Sequence, residues 1–539
     1  MARQPLSELD GREFDAVVIG AGVNGTSGAH HLAAEGYSVL IVDKNDFATG
    51  SSSRSSRLLH CGLRFIEPGE GLGYRQPSVW EPLFKPGTFL KNLGRARDAM
   101  GARTQIGTTM AKRLFGFRFH FPVWKGDFYK PWQVSAGMRL VESVGPRGGI
   151  PLEIDRIPGT EALRRPMLKW LRRPEDLLSV HSWKEFRYEW PERIVMDTIL
   201  DAQRMGAVAR NHTAVTGLER DGDLWRIGLK DGFDGGAAQV AAKAVLNTTG
   251  IWTDRVNRLG SDSVGRRIMG TKGIHIMFRL PPECDGLAIC THTTTREPFY
   301  VIPWRGMHYA GPTDTAYDGD IDDIRAEEDE VRHLVHEVNA LLPGVGLKRE
   351  DVLFTWAGVR PLTYSPDEPM GLRGHRIHDL SDEGMPNVFN MTSSPIQSHR
   401  LAGKQLSDAV KRKLRPSGAP QEISYDAKPY PDAPDSPTLL NHWDGVRIAD
   451  LRHAAEHEQP ATLEDLLFRR VGAGWTETMA REGAHKAAET VADILGWDEA
   501  RIEKEVADYA HVLERLHRVG RGPDCVTDPM APASGQRAG

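Results

Sequence analysis

At 539 residues the chain is too long for one core and calls for two or three domains. With 40% hydrophobic residues, 26% charged residues and a formal net charge of −5, it has the balance of a globular enzyme and nothing that points to nucleic acid. Its four cysteines form no CxxC pair and no zinc spacing, which argues against a metal and for a reduced, cytoplasmic protein. Met1 to Glu13 lacks an apolar signal core, and no stretch approaches the roughly 18 apolar residues of a bilayer span. Peripheral contact with the cytoplasmic membrane surface stays open, as does a homodimer.

Phe14-Asp-Ala-Val-Val-Ile19 predicts a strand, Gly20-Ala-Gly22-Val-Asn24-Gly25 a glycine turn, and Thr26 to Gly36 a helix. Tyr37-Ser-Val-Leu-Ile-Val42 predicts a second strand, which ends in Asp43, 18 residues after Gly25. This is the order a dinucleotide site requires. Gly20 makes the tight turn, Gly22 admits a pyrophosphate, Gly25 lets the helix lie close, and Asp43 accepts from a ribose hydroxyl. The helix N-terminus supplies N–H donors for the phosphates. Asp43 opposes a 2′-phosphate, hence NADP. Thr49-Gly-Ser51-Ser52-Ser53-Arg-Ser55-Ser56-Arg57 is a dense donor loop suited to a long cofactor, which favours FAD over NAD.

Further along, Glu192 to Gly206 reads as an amphipathic helix. Short strands follow at Ala207–Arg210, Ala214–Leu218 with Val215, and Leu224–Leu229. Gln239 to Leu246 leads into Asn247-Thr-Thr249-Gly250, a second contact to the dinucleotide. Arg113 to Phe121 alternates apolar and polar residues, a strand that either covers a pocket, rests on a bilayer or packs within a sheet. Strand pattern recurs over 261–365, with a helix at Ala326 to Leu342. Residues 416–437 read as a linker. Helices then start at Thr462 (a capping-box-like Thr462-Leu-Glu-Asp465), Ala480 and Asp498, and 517–539 reads as a disordered tail.

Leu58-Leu-His60-Cys-Gly62-Leu-Arg64-Phe65 closely resembles a stretch of the FAD-dependent glycerol-3-phosphate dehydrogenases, within the D-amino-acid-oxidase-like flavoproteins. Lys272-Gly273-Ile-His275, Val301-Ile-Pro-Trp304, Gly311-Pro-Thr313-Asp314 and Trp356-Ala-Gly-Val-Arg360-Pro-Leu resemble further motifs of that family, in order, over roughly 14–515. The resemblance implies an α/β fold: a Rossmann-type FAD-binding domain (14–415), an interleaved antiparallel-sheet substrate domain (68–190 and 261–365), and a C-terminal helical domain (438–516). It implies FAD contacts from Gly20, Gly22, Asn24, Gly25, Asp43, Lys44, Ser51, Ser52, Ser53, Ser55, Ser56, Leu58, His60, Val215, Thr249, Gly250, Ile396 and Gln397. It also implies substrate contacts from Arg64, Phe65, Thr313, Arg360, Gln397 and His399.

Alcohol oxidation needs a hydride acceptor, a base and a clamp for any anionic handle. Arg64 and Arg360 offer the planar forks that hold phosphate or carboxylate. His60 and His275 are alternative bases, and Arg360 can stabilise an alkoxide. Two departures stand out. The family's lysine beside substrate phosphate is Pro395, and its tyrosine after the pocket arginine is Phe65. The loss of that charge predicts a pocket poor for glycerol 3-phosphate and better for a larger polyol derivative that uses Gln397, Ser398 or His399. Lys272 or Arg400 are the other sources of charge. The expected function is oxidation of glycerol 3-phosphate or a related polyol phosphate to a ketone, with electrons passing to a quinone or other acceptor. A 2-hydroxy acid, amino acid or amine oxidase is the alternative, and a non-catalytic flavin-binding protein is a third reading.

Overall fold

The computed structural model describes residues 3–66 and 86–517. The first part of the expected substrate domain, 68–85, and almost all of the expected tail therefore fall outside the described residues. Among those described, two large sheets dominate. The first contains β1 (Glu13–Ile19), β2 (Val39–Val42), β7 (Val208–Arg210), β8 (Thr213–Asp221), β9 (Leu224–Asp231), β10 (Ala237–Asn247), β17 (Arg376–Asp379) and β18 (Val388–Thr392). Its order is β17-β18-β10-β1-β2-β7, with parallel pairs from β18 to β7 and the β8/β9 hairpin on β10.

β1 is apolar almost throughout because both of its faces are covered. Ala16 and Val18 join a core with α1 (Val23–Ala34), α4 (Pro191–Arg204) and α6 (His399–Lys411). Phe14, Val17 and Ile19 face the hairpin side with Trp225 and Ile227. A Cβ on Gly25 would lie 2.0 Å from Gly20 O and 2.4 Å from Thr248 Oγ1, so only glycine lets α1 start this close to the sheet.

The second sheet contains β3 (Leu58–Leu59), β4 (Leu114–Trp124), β5 (Asp155–Pro158), β6 (Leu177–Tyr188), β11 (Ile268–Phe278), β12 (Leu287–His292), β13 (Pro298–Trp304), β14 (Met307–Gly311), β15 (Thr315–Ala316) and β16 (Phe354–Thr363). Its pairs are antiparallel except β12 on β4. The chain thus passes from one sheet to the other and back, the interleaving the sequence predicts. β4 is an interior strand, and Phe117 and Phe119 stack edge to face at 4.9 Å over the cavity side of the sheet.

Four longer helices escape the sequence reading: α2 (Pro86–Thr109), that at Pro131–Ser143, α6 and α7 (Ile448–His457). Farther on lie α8 (Ala484–Leu495) and α9 (Glu499–Val512), and the C-terminal helices share a core with Trp304, Trp356 and β4. At Thr462 the capping box forms: Asp465 N–H donates to Thr462 Oγ1 (3.1 Å), and Thr462 N–H donates to Asp465 Oδ2 (3.1 Å). Residues 416–437 form no helix or strand yet are tied down, with Gln421 N–H donating to Ala34 O (2.7 Å) and Ser424 N–H to Asp201 Oδ2 (3.0 Å). Asp46, His212 and Asp465 cluster closely enough to suggest a cation. Arg470 (2.7 Å) and Arg469 (2.6 Å) already occupy Asp46, so the cluster is a buried ion network joining the cofactor sheet to the C-terminal helices.

Candidate flavin and substrate site

A cavity of about 510 Å³ runs from the C-terminal end of β2 past the start of α1 and under the second sheet. At one end Asp43, on the tip of β2, accepts N–H bonds from Ala21 (2.8 Å) and Asn45 (3.0 Å), while burial pushes its carboxyl up to about 6. Lys44, Val215, Thr249 and Gly250 line the same end, as does Trp252, which the sequence reading missed. The Trp252 Nε1–H donates to Asp322 (2.7 Å), and the Lys44 ammonium sits 4.5 Å from its ring centre.

Gly20, Gly22, Asn24, Ser51, Ser52, Ser55 and Ser56 line the middle. Gly20 adopts φ +97°, and the Val23 N–H at the start of α1 donates to Ser52 Oγ (3.0 Å). Leu58, His60, Ile396 and Gln397 line the next stretch. Asp43, glycine turn, hydroxyl loop and apolar-edged slot follow one another in the order adenosine, pyrophosphate, ribityl chain and flavin ring, so the residues fit FAD. Of the residues expected to touch it, Gly25 and Ser53 do not line the cavity. Gly25 makes the helix-to-turn contact, and the Ser53 hydroxyl turns inward to Gly50 O (3.1 Å).

Beyond the flavin end lie Arg64, Phe65, Arg95, Arg360 and Arg373, beneath Phe119, Phe121 and Tyr300. Arg360, on β16, donates to Asp314 Oδ1 (3.0 Å) and Thr313 O (3.1 Å). Its guanidinium crosses the strand over Gly273, where a Cβ would meet Nη2 at 2.4 Å. Arg373 also pairs with Asp314, and Arg95 donates to Arg373 O (2.6 Å). Burial would raise the Asp314 carboxyl, but Arg360 and Arg373 overcome this and leave it below its ordinary value.

These contacts correct three expectations. Thr313 accepts from Ile274 N–H (3.0 Å) and supports Arg360 from behind instead of lining the cavity. His399 is buried in the wall with Nδ1 on Ile396 O (2.8 Å). Lys272, paired with Glu330 (2.7 Å), and Arg400, which donates to Thr109 (2.9 Å), do not line the cavity, whereas Arg373 and Arg95 do.

The two histidines differ. Gly62 N–H donates to His60 Nδ1 (3.0 Å), which places the proton of the neutral ring on Nε2. Burial and the nearby Arg64 hold that ring down to about 3. His275 stacks on Trp356 at 4.6 Å, with Nε2 2.9 Å from Ser56 Oγ. Burial, then Arg360 and Arg57, hold it well below the usual imidazole value.

A doubly layered α/β sheet, a glycine turn ending in a ribose acid and a second sheet roofing the cavity define a flavoprotein oxidoreductase. The FAD dependent oxidoreductase family matches residues 15–409, and the chain belongs to it. It is similar to a glycerol-3-phosphate dehydrogenase of Synechocystis sp. (28% identical, covering 94% of this chain and 98% of that one). It is also similar to a D-erythritol 1-phosphate dehydrogenase of Brucella abortus (28% identical, covering 85% and 93%). The structure resembles that of glycerol-3-phosphate dehydrogenase from Bacillus halodurans complexed with FAD, with TM-score 0.69 and 19% identity over 95% of this chain and 96% of that one.

Proposed function

We propose that the protein oxidises the secondary alcohol of glycerol 3-phosphate or a related polyol phosphate to a ketone. The observation that carries this reading is the convergence of Arg64, Arg360 and Arg373 at the flavin end of the cavity. Two of them share a single carboxylate, Asp314, so the site keeps positive charge for an anionic handle. FAD bound in the cavity supplies the hydride acceptor. His60 presents Nε2–H as a hydrogen-bond donor toward the reacting oxygen, which its tautomer favours over a role as base. His275 then takes the hydroxyl proton, by way of Ser56 Oγ at 2.9 Å. Arg360 favours the alkoxide as it forms.

Electrons pass on to a quinone or another acceptor. Among the described residues no helix is long and apolar enough to cross a membrane. Contact with a membrane surface is supported by exposed Trp132 (67%) and Phe128 (40%) close in sequence to exposed Lys125 and Lys130.

Anaerobic mixing of the holoenzyme with polyol phosphates, unphosphorylated polyols, 2-hydroxy acids and amino acids tests the reading. Flavin bleaching by polyol phosphates is the expected result. Bleaching by hydroxy or amino acids alone would replace it with the alternative oxidase.

A further inference from the structure

Arg57 closes the hydroxyl loop at φ +59° and is wholly buried. Its guanidinium carbon lies 4.2 Å from the ring centre of Trp304 and 4.3 Å from that of Trp475, with Trp356 at 5.7 Å. Nη2 donates to Ser53 O (3.1 Å), Nη1 is 3.5 Å from Glu192 Oε2, and neither Nε nor Nη1 makes a hydrogen bond. A buried guanidinium with unbonded nitrogens is costly unless other negative potential compensates, and here the two indole faces and Glu192 supply it. Burial accordingly pulls the guanidinium down to about 10, with Glu192 opposing.

The groups that hold Arg57 come from separate parts of the chain. Trp304 lies on β13, Glu192 starts α4, and Trp475 belongs to the C-terminal helical region, its Nε1–H donating to Glu192 Oε1 (3.0 Å). The neighbouring loop carbonyls are anchored from the same side. Ser55 O accepts from Trp356 Nε1 (3.3 Å) and Ser56 O from the Tyr309 hydroxyl (2.7 Å). The loop whose Ser51, Ser52, Ser55 and Ser56 line the flavin cavity is thus fastened at its end, through Arg57, to a region with no residue in that cavity, as its start is through Asp46 to Arg469 and Arg470.

We propose that Arg57 is a positioning residue for the flavin and that Trp475 lets the C-terminal helical region control cofactor retention through Arg57. Core filling alone would need shape and not charge. A positioning role needs a cation between the rings and makes Trp475 act on the loop through that cation and the Glu192 beside it.

Release of FAD from diluted holoenzyme, followed by the rise in flavin fluorescence, tests this. Arg57→Met should release FAD at least about tenfold faster, as expected for losing a desolvated cation–π pair, and Arg57→Lys should return to within about threefold of the parent. Trp475→Phe should accelerate release, and combined with Arg57→Met it should accelerate it no further than Arg57→Met alone. Parent-like release from Arg57→Met, no rescue by Lys, or multiplying effects in the double variant would overturn the proposal. If Arg57→Met does not fold, Arg57→Gln, which also lacks the charge, takes its place in the same cycle with Trp475→Phe.

Discussion

Gly20, Gly22 and Asp43 reach the cavity from one continuous stretch, whereas Arg64 and Arg373 meet there from positions more than 300 residues apart. The first end rests on backbone that has no room to move. The second rests on long side chains, two of which, Arg360 on β16 and Arg373, share Asp314. A contiguous turn fails all at once when one atom is added. A convergent cluster loses function in steps, because its members partly replace one another.

The largest effect follows from the turn. Gly25→Ala places a Cβ 2.0 Å from Gly20 O, so the variant should purify colourless, without FAD; a yellow protein with parent-like absorbance would show that α1 can shift away. Next comes the buried junction between the cofactor sheet and the C-terminal helices. Asp46→Asn strips the charge that Arg469 and Arg470 share, and should destabilise the protein by about 3 kcal/mol in denaturant unfolding. A loss within the roughly 0.5 kcal/mol typical of surface changes would mean that Asp465 alone balances both arginines.

In the convergent half the steps should be smaller. Arg373→Ala should lower kcat/KM for the preferred phosphate by about tenfold, roughly 1.4 kcal/mol, since Arg64 and Arg360 remain. A complete loss would mean that the cluster behaves like the turn. The smallest effect is on pH. An unperturbed imidazole base gives an acid limb near 6.5. Burial with Arg360 and Arg57 lowers the His275 value, so the unprotonated form persists to more acidic pH and the limb in kcat/KM should lie well below that point. A limb at or above the ordinary imidazole value would remove His275 from the role of base.

The same contrast governs what the sequence disclosed. β1, the glycine turn, α1 and β2 were legible because each signal is local: apolar runs, glycine spacing and an acid in order. The structure starts α1 at Val23, three residues before the expected Thr26, because Gly22 already caps it. α2 was not legible. Its inward face, Ala96, Ala99, Met100, Arg103 and Ile106, is a weak stripe: two of its members are alanines and it is broken by Arg103, whose guanidinium donates to Pro151 O (3.2 Å) and Lys184 O (3.0 Å). Arg64 and Arg360 were found through motif resemblance. Arg373 sits in a loop with no motif, and its role depends on Asp314 arriving from another segment. Thr313 and His399 were misplaced for the converse reason: neighbours in a motif can face opposite sides of a strand or a helix start. Arg57 was read as one donor among several, since its partners lie on three distant elements.

The central claim is that the convergent end of the cavity holds a phosphate, and Arg64→Ala tests it most directly. The measurement is kcat/KM for a polyol phosphate and for the same polyol without phosphate, in the parent and the variant. The phosphorylated substrate should lose about 30- to 1,000-fold, the 2–4 kcal/mol of a charge-assisted pair, and the unphosphorylated one far less. Equal losses for the two substrates would contradict the account.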